Sequence, residues 1–147
     1  MVEKEIYMDN KISMKKNIPE LIPAIIAVVL SVGVMTVFRA CAKAEDGTWM
    51  NCHYAQLFVF AGGGIMTAIS LAAAFIKNSR LKMCVGIVAI IIAVITALIP
   101  GVLVHLCMMD TMRCHMLMRP AVDILCVLFI IIELVNGFFV YRKGKAA

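Results

Sequence analysis

Four apolar runs, each long enough to cross a bilayer, constrain this chain more than any other feature of it. A spanning helix needs about 20 apolar residues, because the hydrocarbon core is about 30 Å thick and each residue rises about 1.5 Å. The runs cover roughly residues 18–38, 55–76, 83–106 and 120–141. They leave no room for a separate soluble domain among 147 residues. The chain is 63% hydrophobic, well above the roughly 45–50% of soluble domains, so the solvent of its surface is partly lipid. The runs lack the period-2 alternation of a membrane β-barrel. A helix satisfies its own backbone in lipid. The expected fold is an all-α membrane protein, a four-transmembrane-helix bundle. Its membrane domain covers residues 18–141, with short tails at 1–17 and 142–147.

Basic residues set the expected orientation, because Lys and Arg beside spanning helices stay in the cytoplasm. Lys4, Lys11, Lys15, Lys16, Lys77, Arg80, Lys82, Arg142, Lys143 and Lys145 fall on one side, ten in all. Only Arg39, Lys43, Arg113 and Arg119 fall on the other. Both termini are therefore expected in the cytoplasm of a multi-pass plasma-membrane protein. The net charge of +5 follows from this topology. No aromatic residues interleave with the basic ones as a base-stacking surface requires, so no nucleic-acid partner is expected. The partner every reading requires is the lipid bilayer. The basic start, the apolar run and Ala42-Lys43-Ala44 also resemble a cleavable secretory signal. The run is long for that role, and cleavage would remove Cys41, so an uncleaved first helix is expected.

The chain reads as two hairpins of one design, a parallel repeat about an axis along the membrane normal. The first outer loop holds Cys41 and Met50-Asn51-Cys52-His53, and the second holds Cys107 and Met112-Arg113-Cys114-His115. Each Met-x-Cys-His element precedes the returning helix. Cys84 and Cys126 lie within helices and read as small packing residues.

The four outer cysteines support three readings. In an oxidising compartment, disulfides persist; local pairing of Cys41 with Cys52 and Cys107 with Cys114 closes only short loops, and cross-pairing would staple the hairpins together. The second reading is thiol–disulfide redox chemistry. In architecture alone, the chain resembles membrane oxidoreductases of the disulfide-forming and vitamin K epoxide reductase types, but it has no Cys-x-x-Cys. The third is a Cu(I) site, with soft ligands drawn from Met108, Met109 and Met112 and imidazoles from His53, His105 and His115. No spacing matches a zinc pattern.

The fourth run carries Asp123, Cys126, Glu133 and Asn136 at steps of 3, 7 and 3, along one helical face. An acid at mid-membrane costs about 2.5–3.5 kcal/mol on insertion scales, so this face should turn toward the other helices. Glu133 is expected to hydrogen-bond Asn136, Thr67, Ser70 or Thr96, either as a proton or ligand site or as a packing group. Gln56, Gly63, Thr67, Ser70 and Ala74 form a matching stripe on the second run. Gly86, Ala89, Ala93, Thr96 and Pro100 form another on the third. Both stripes are expected inside the bundle, with Gly62-Gly63-Gly64 permitting close helix approach. Pro100-Gly101 should kink or loosen the outer end of the third helix.

Leu98-Ile99-Pro100-Gly101, Cys107, Met112-Arg113-Cys114 and Arg119-Pro120-Ala121 occur in this order, after Met50-Asn51-Cys52-His53-Tyr54-Ala55-Gln56. This pattern resembles a small prokaryotic membrane family catalogued as domain of unknown function 4418, over about residues 21–140. The resemblance implies a four-helix membrane protein without an assigned activity. It also implies an accessory role beside ABC transporters of the macrolide-exporter type. His115 departs from the family pattern, which weakens a metal site built on both Cys-His pairs.

No Ser-His-Asp set, phosphate-cradling loop or HExxH helix occurs. The leading functional expectation is a non-enzymatic accessory or interaction subunit of a transporter-type complex, without a resident cofactor. A membrane redox protein and a Cu(I)-binding protein are the alternatives. A homo-oligomer is compatible with each.

Overall fold

The structure is a computed structural model describing residues 2–39, 43–49, 51–105 and 114–146, and the side chains of residues 5–17 and of Cys114 lie outside that description. It contains four long helices: α1 (Val2–Thr36), α2 (Asn51–Phe75), α3 (Ser79–Leu98) and α4 (Arg119–Ala146). A π-helical turn, Cys114–Met118, leads into α4. Among the described residues there is no β-strand beyond one isolated bridge between Pro100 and Val104. Four segments are long and apolar enough to cross a membrane: Ile18–Thr36, Asn51–Phe75, Ser79–Leu98 and His115–Ala146. The chain is a multi-pass, all-helical membrane bundle, as its apolar runs predict.

The helices form a ring. α1 packs on α2, α2 on α3, α3 on α4, and α4 returns to α1. The α1–α2 and α3–α4 pairs are the most extensive, matching the two expected hairpins. Two packed layers fill the centre. One, nearer the end where α1 leads into α2, joins Leu30, Val34, Ala55, Val59, Met118, Val122 and Cys126. The other joins Ala27, Met66, Ala89, Ala93 and Phe129. Membrane helices gain little from transfer between lipid and protein, so close contact must hold them together.

The glycine triplet supplies that contact. Successive residues point about 100° apart around a helix, so three adjacent glycines address three directions. A Cβ at Gly62 would lie 2.5 Å from Thr96 Oγ1 on α3, and one at Gly63 would lie 2.3 Å from Ser31 Oγ on α1. A Cβ at Gly64 would meet nothing within 4 Å. Thr96 and Ser31 satisfy themselves by donating to Ile92 O (2.8 Å) and Ala27 O (3.0 Å). The expected interior stripes of α2 and α3 are thus correct, except that Gly64 faces outward.

Two element ends differ from the hydropathy reading. The first apolar span begins at Ile18, within a helix that starts at Val2. The third helix stops at Leu98 instead of reaching residue 106. Pro100 has no N–H to continue the ladder and disfavours helix before it, and Gly101 sits at φ 112°, where other residues are strained. The chain then hooks back: Val102 and Leu103 N–H donate to Leu98 O, and Val104 N–H to Ile99 O. Finally, the two repeat copies enter their returning helices differently, the first directly at Asn51 and the second through the π-turn.

Proline also shapes α1. Pro23 cannot donate to the carbonyl of Pro19, one helical turn back. Asn136 of α4 fills the gap, its Nδ2 donating to Pro19 O at 2.7 Å. Replacing Asn136 with leucine is expected to destabilise the bundle by about 0.5–1.5 kcal/mol, the usual net worth of one hydrogen bond, since this bond is exposed. Pro23→Ala should suppress most of that loss, because an alanine at this position supplies the missing N–H. Thermal unfolding in mild detergent measures both, and an undiminished loss in the Pro23→Ala background would refute this role.

Candidate functional site

The two packed layers do not reach the end of the bundle where the basic segments lie. There a cavity of about 290 Å³ opens between the four helices. Its polar lining among the described residues is Glu20 from α1, Ser70 from α2, Lys82 from α3, and Glu133, Asn136 and Tyr141 from α4. Apolar groups such as Pro23, Ile69, Ala73 and Ile90 form most of the remaining wall.

Each polar group is placed by a local feature of its helix. Glu133 and Asn136 are three residues apart and so share a face. Gly86 of α3 faces the acid: a Cβ there would sit 3.6 Å from Glu133 Oε2, an ordinary contact distance. Glu20 and Lys82 lie near the starts of the first and third spans and meet as an ion pair through Glu20 Oε1. Both side chains are largely buried, Lys82 at 19% exposure and Glu20 at 14%. The other oxygen, Glu20 Oε2, is buried without a hydrogen-bond partner among the described residues, and so is Ser70 Oγ.

The bonds expected of Glu133 are not made. Thr67 Oγ1 donates to Gly63 O at 2.8 Å, Thr96 Oγ1 to Ile92 O, and Asn136 to Pro19 O. Each hydroxyl returns to its own helix four residues back, which is the nearer acceptor. Ser70 lines the same cavity as Glu133 without bonding it. Glu133 lies roughly 13 Å along the helix from Arg142, at about 1.5 Å per residue. The polar face of α4 does turn inward: Cys126 is buried, and Asp123, Glu133 and Asn136 are half-buried. Sequence reasoning found Glu133 and Asn136 but missed Glu20 and Lys82. The signal was available, an acid and a base each a few residues inside the same end of a span.

At the opposite end, Cys52 is fully buried in the first turn of α2. His53 stacks on Trp49 with ring centroids 3.9 Å apart, and Lys43 Nζ lies over the same Trp49 ring, 4.5 Å from its centroid. His105 follows the hook after α3 and is exposed, and His115 lies in the π-turn. Arg119, opening α4, rests on the hook: a Cβ at Gly101 would lie 3.3 Å from its Cζ. Thus two separated motifs, Pro100-Gly101 and Arg119-Pro120, meet in space. Cys41, Cys107, Met108, Met109 and Met112 lie outside the described residues, as does the side chain of Cys114. Each expected disulfide pairing needs at least one of those positions, and the expected methionine ligands all fall on them. Among the described residues, no three His, Cys, Asp or Glu side chains converge as a metal site would require.

No curated protein and no solved structure matches the chain significantly. The model of one family, described as a domain of unknown function (DUF4418), matches residues 23–139. That span begins in α1 and ends in α4, and so takes in all four crossings and the hook beneath Arg119. The chain therefore belongs to the family catalogued as domain of unknown function 4418.

Proposed function

We propose that this protein is a non-enzymatic accessory subunit of a membrane complex, engaging its partner through the outward face of α2. The observation that carries this reading is a track of small residues. Ala61, Gly64, Ala68 and Ala72 are all exposed and recur at helical spacing. Lipid gives no reason to favour small side chains over leucine on an outer face, whereas a neighbouring helix does, because small-xxx-small surfaces let backbones approach closely. Gly64 has open space before it, so the track is not used within the bundle.

In this reading both termini are cytoplasmic and the protein resides in the plasma membrane, in keeping with the ten-to-four split of basic residues. The outer cysteines pair locally, Cys41 with Cys52 and Cys107 with Cys114, and hold the loops. The family resemblance favours an ABC-type transporter as the partner, and a second copy of the chain is the competing occupant. Co-purification in mild detergent tests the proposal. Gly64→Leu with Ala68→Leu should reduce recovery of the partner subunit at least tenfold while leaving the melting temperature unchanged. A wild-type chain that always elutes alone, or a double variant that retains its partner, would sink it.

A further inference from the structure

We propose that the cavity at the basic end binds an amphiphilic cation through its primary ammonium group, with the apolar body lying against the walls. The inference rests on the cavity alone and is independent of the partner reading. Its polar groups are mismatched in a particular way. Lys82 is already committed to Glu20, and among the described lining residues two carboxyls stand against that one lysine. Glu133 has neither a hydrogen bond nor an ion pair among the described residues, Glu20 Oε2 is buried and unbonded, and Ser70 Oγ is unbonded at 2% exposure. Buried polar groups in folded proteins are hydrogen-bonded as a rule, and exceptions call for a missing partner.

A partner that donates and carries positive charge suits this lining. An ammonium carries three donors and no acceptor; Glu20 Oε2 and the Ser70 hydroxyl are open to accept, and Glu133 lines the same cavity without an ion pair to Lys82. An anion fits poorly, since two carboxyls face the cavity and the only lysine among its described lining residues is paired. A hydrated metal ion fits poorly against mostly apolar walls, and the described residues offer no group of three ligands. A volume of about 290 Å³ lies at the small end of the range for organic ligands. Ile87, Leu134 and Phe138 line the cavity and are also exposed. Its mouth therefore lies on the membrane-facing side of α3 and α4, where an apolar tail would remain in lipid.

Two sources share this chemistry: a phospholipid with a primary-amine headgroup and a free alkylamine. The full chain, purified in mild detergent, is titrated with octylamine, with octyltrimethylammonium and with octanol, and binding is read by calorimetry and thermal shift. Octylamine should bind and stabilise, octyltrimethylammonium at least tenfold more weakly, and octanol not measurably. Glu133→Gln should weaken octylamine at least tenfold, in line with a charge-assisted hydrogen bond of about 1.5–3 kcal/mol. Ser70→Ala should weaken it severalfold while leaving the unliganded melting temperature unchanged. In nanodiscs, competition of phosphatidylethanolamine but not phosphatidylcholine against octylamine identifies a lipid source, and absence of competition by either identifies a free amine. Equal binding of octanol and octylamine, or unchanged octylamine affinity in a folded Glu133→Gln protein, would overturn the proposal.

Discussion

Replacing Lys82 with methionine should destabilise the bundle by about 3–5 kcal/mol, the usual penalty for removing one partner of a buried ion pair. The size follows from what remains behind. Glu20 is only 14% exposed, and its second oxygen is already without a hydrogen bond among the described residues. Without Lys82 an uncompensated carboxylate would stand between helices. The pair also reaches from α1 to α3, which are not neighbours in the ring, so it ties the bundle across its diagonal. Combining Lys82→Met with Glu20→Gln should recover most of the loss, because a neutral amide leaves no buried charge. A double-mutant cycle by thermal unfolding in detergent measures the coupling. Additive single losses would show that the two side chains act separately.

The second large effect is expected at Gly63. A methyl group there would lie 2.3 Å from Ser31 Oγ and 3.5 Å from Ala27 O. Ser31 cannot swing aside freely, since it is buried and donates to that same carbonyl. Gly63→Ala should therefore cost about 1–3 kcal/mol, the usual range for overpacking, and Gly63→Leu more. Ser31→Gly should rescue Gly63→Ala by removing the opposing atoms. Gly64→Ala, one position along and facing open space, should fall within about ±0.5 kcal/mol. If all three glycine variants melt alike, the close approach of α1 and α2 is not set by this residue.

The crossings were legible because lipid imposes length and hydropathy on each helix directly. The inward faces were legible for a related reason, as Glu133, Asn136 and Thr96 have no place against acyl chains. The end of α3 was not. Residues 99–104 are as apolar as the helix before them, and only Pro100 and Gly101 mark the hook. Hydropathy averages over such a mark. Pairings were also hidden. Lys82 reads as one more cytoplasmic charge until α3 is set opposite α1, and its match with Glu20 depends on helix rotation, which composition does not encode. The same holds for the Arg119 contact over Gly101, which joins positions that local pattern reading treats separately.

The bond between Asn136 and the carbonyl of Pro19 bears on how the protein is made. Its partners are 117 residues apart, one near the start of the first crossing and the other near the end of the last. Until α4 is in place that carbonyl lacks the donor a helix ordinarily supplies four residues on, because Pro23 has no N–H. A proline within one membrane helix thus leaves a bond near the beginning of the chain that only its last helix completes.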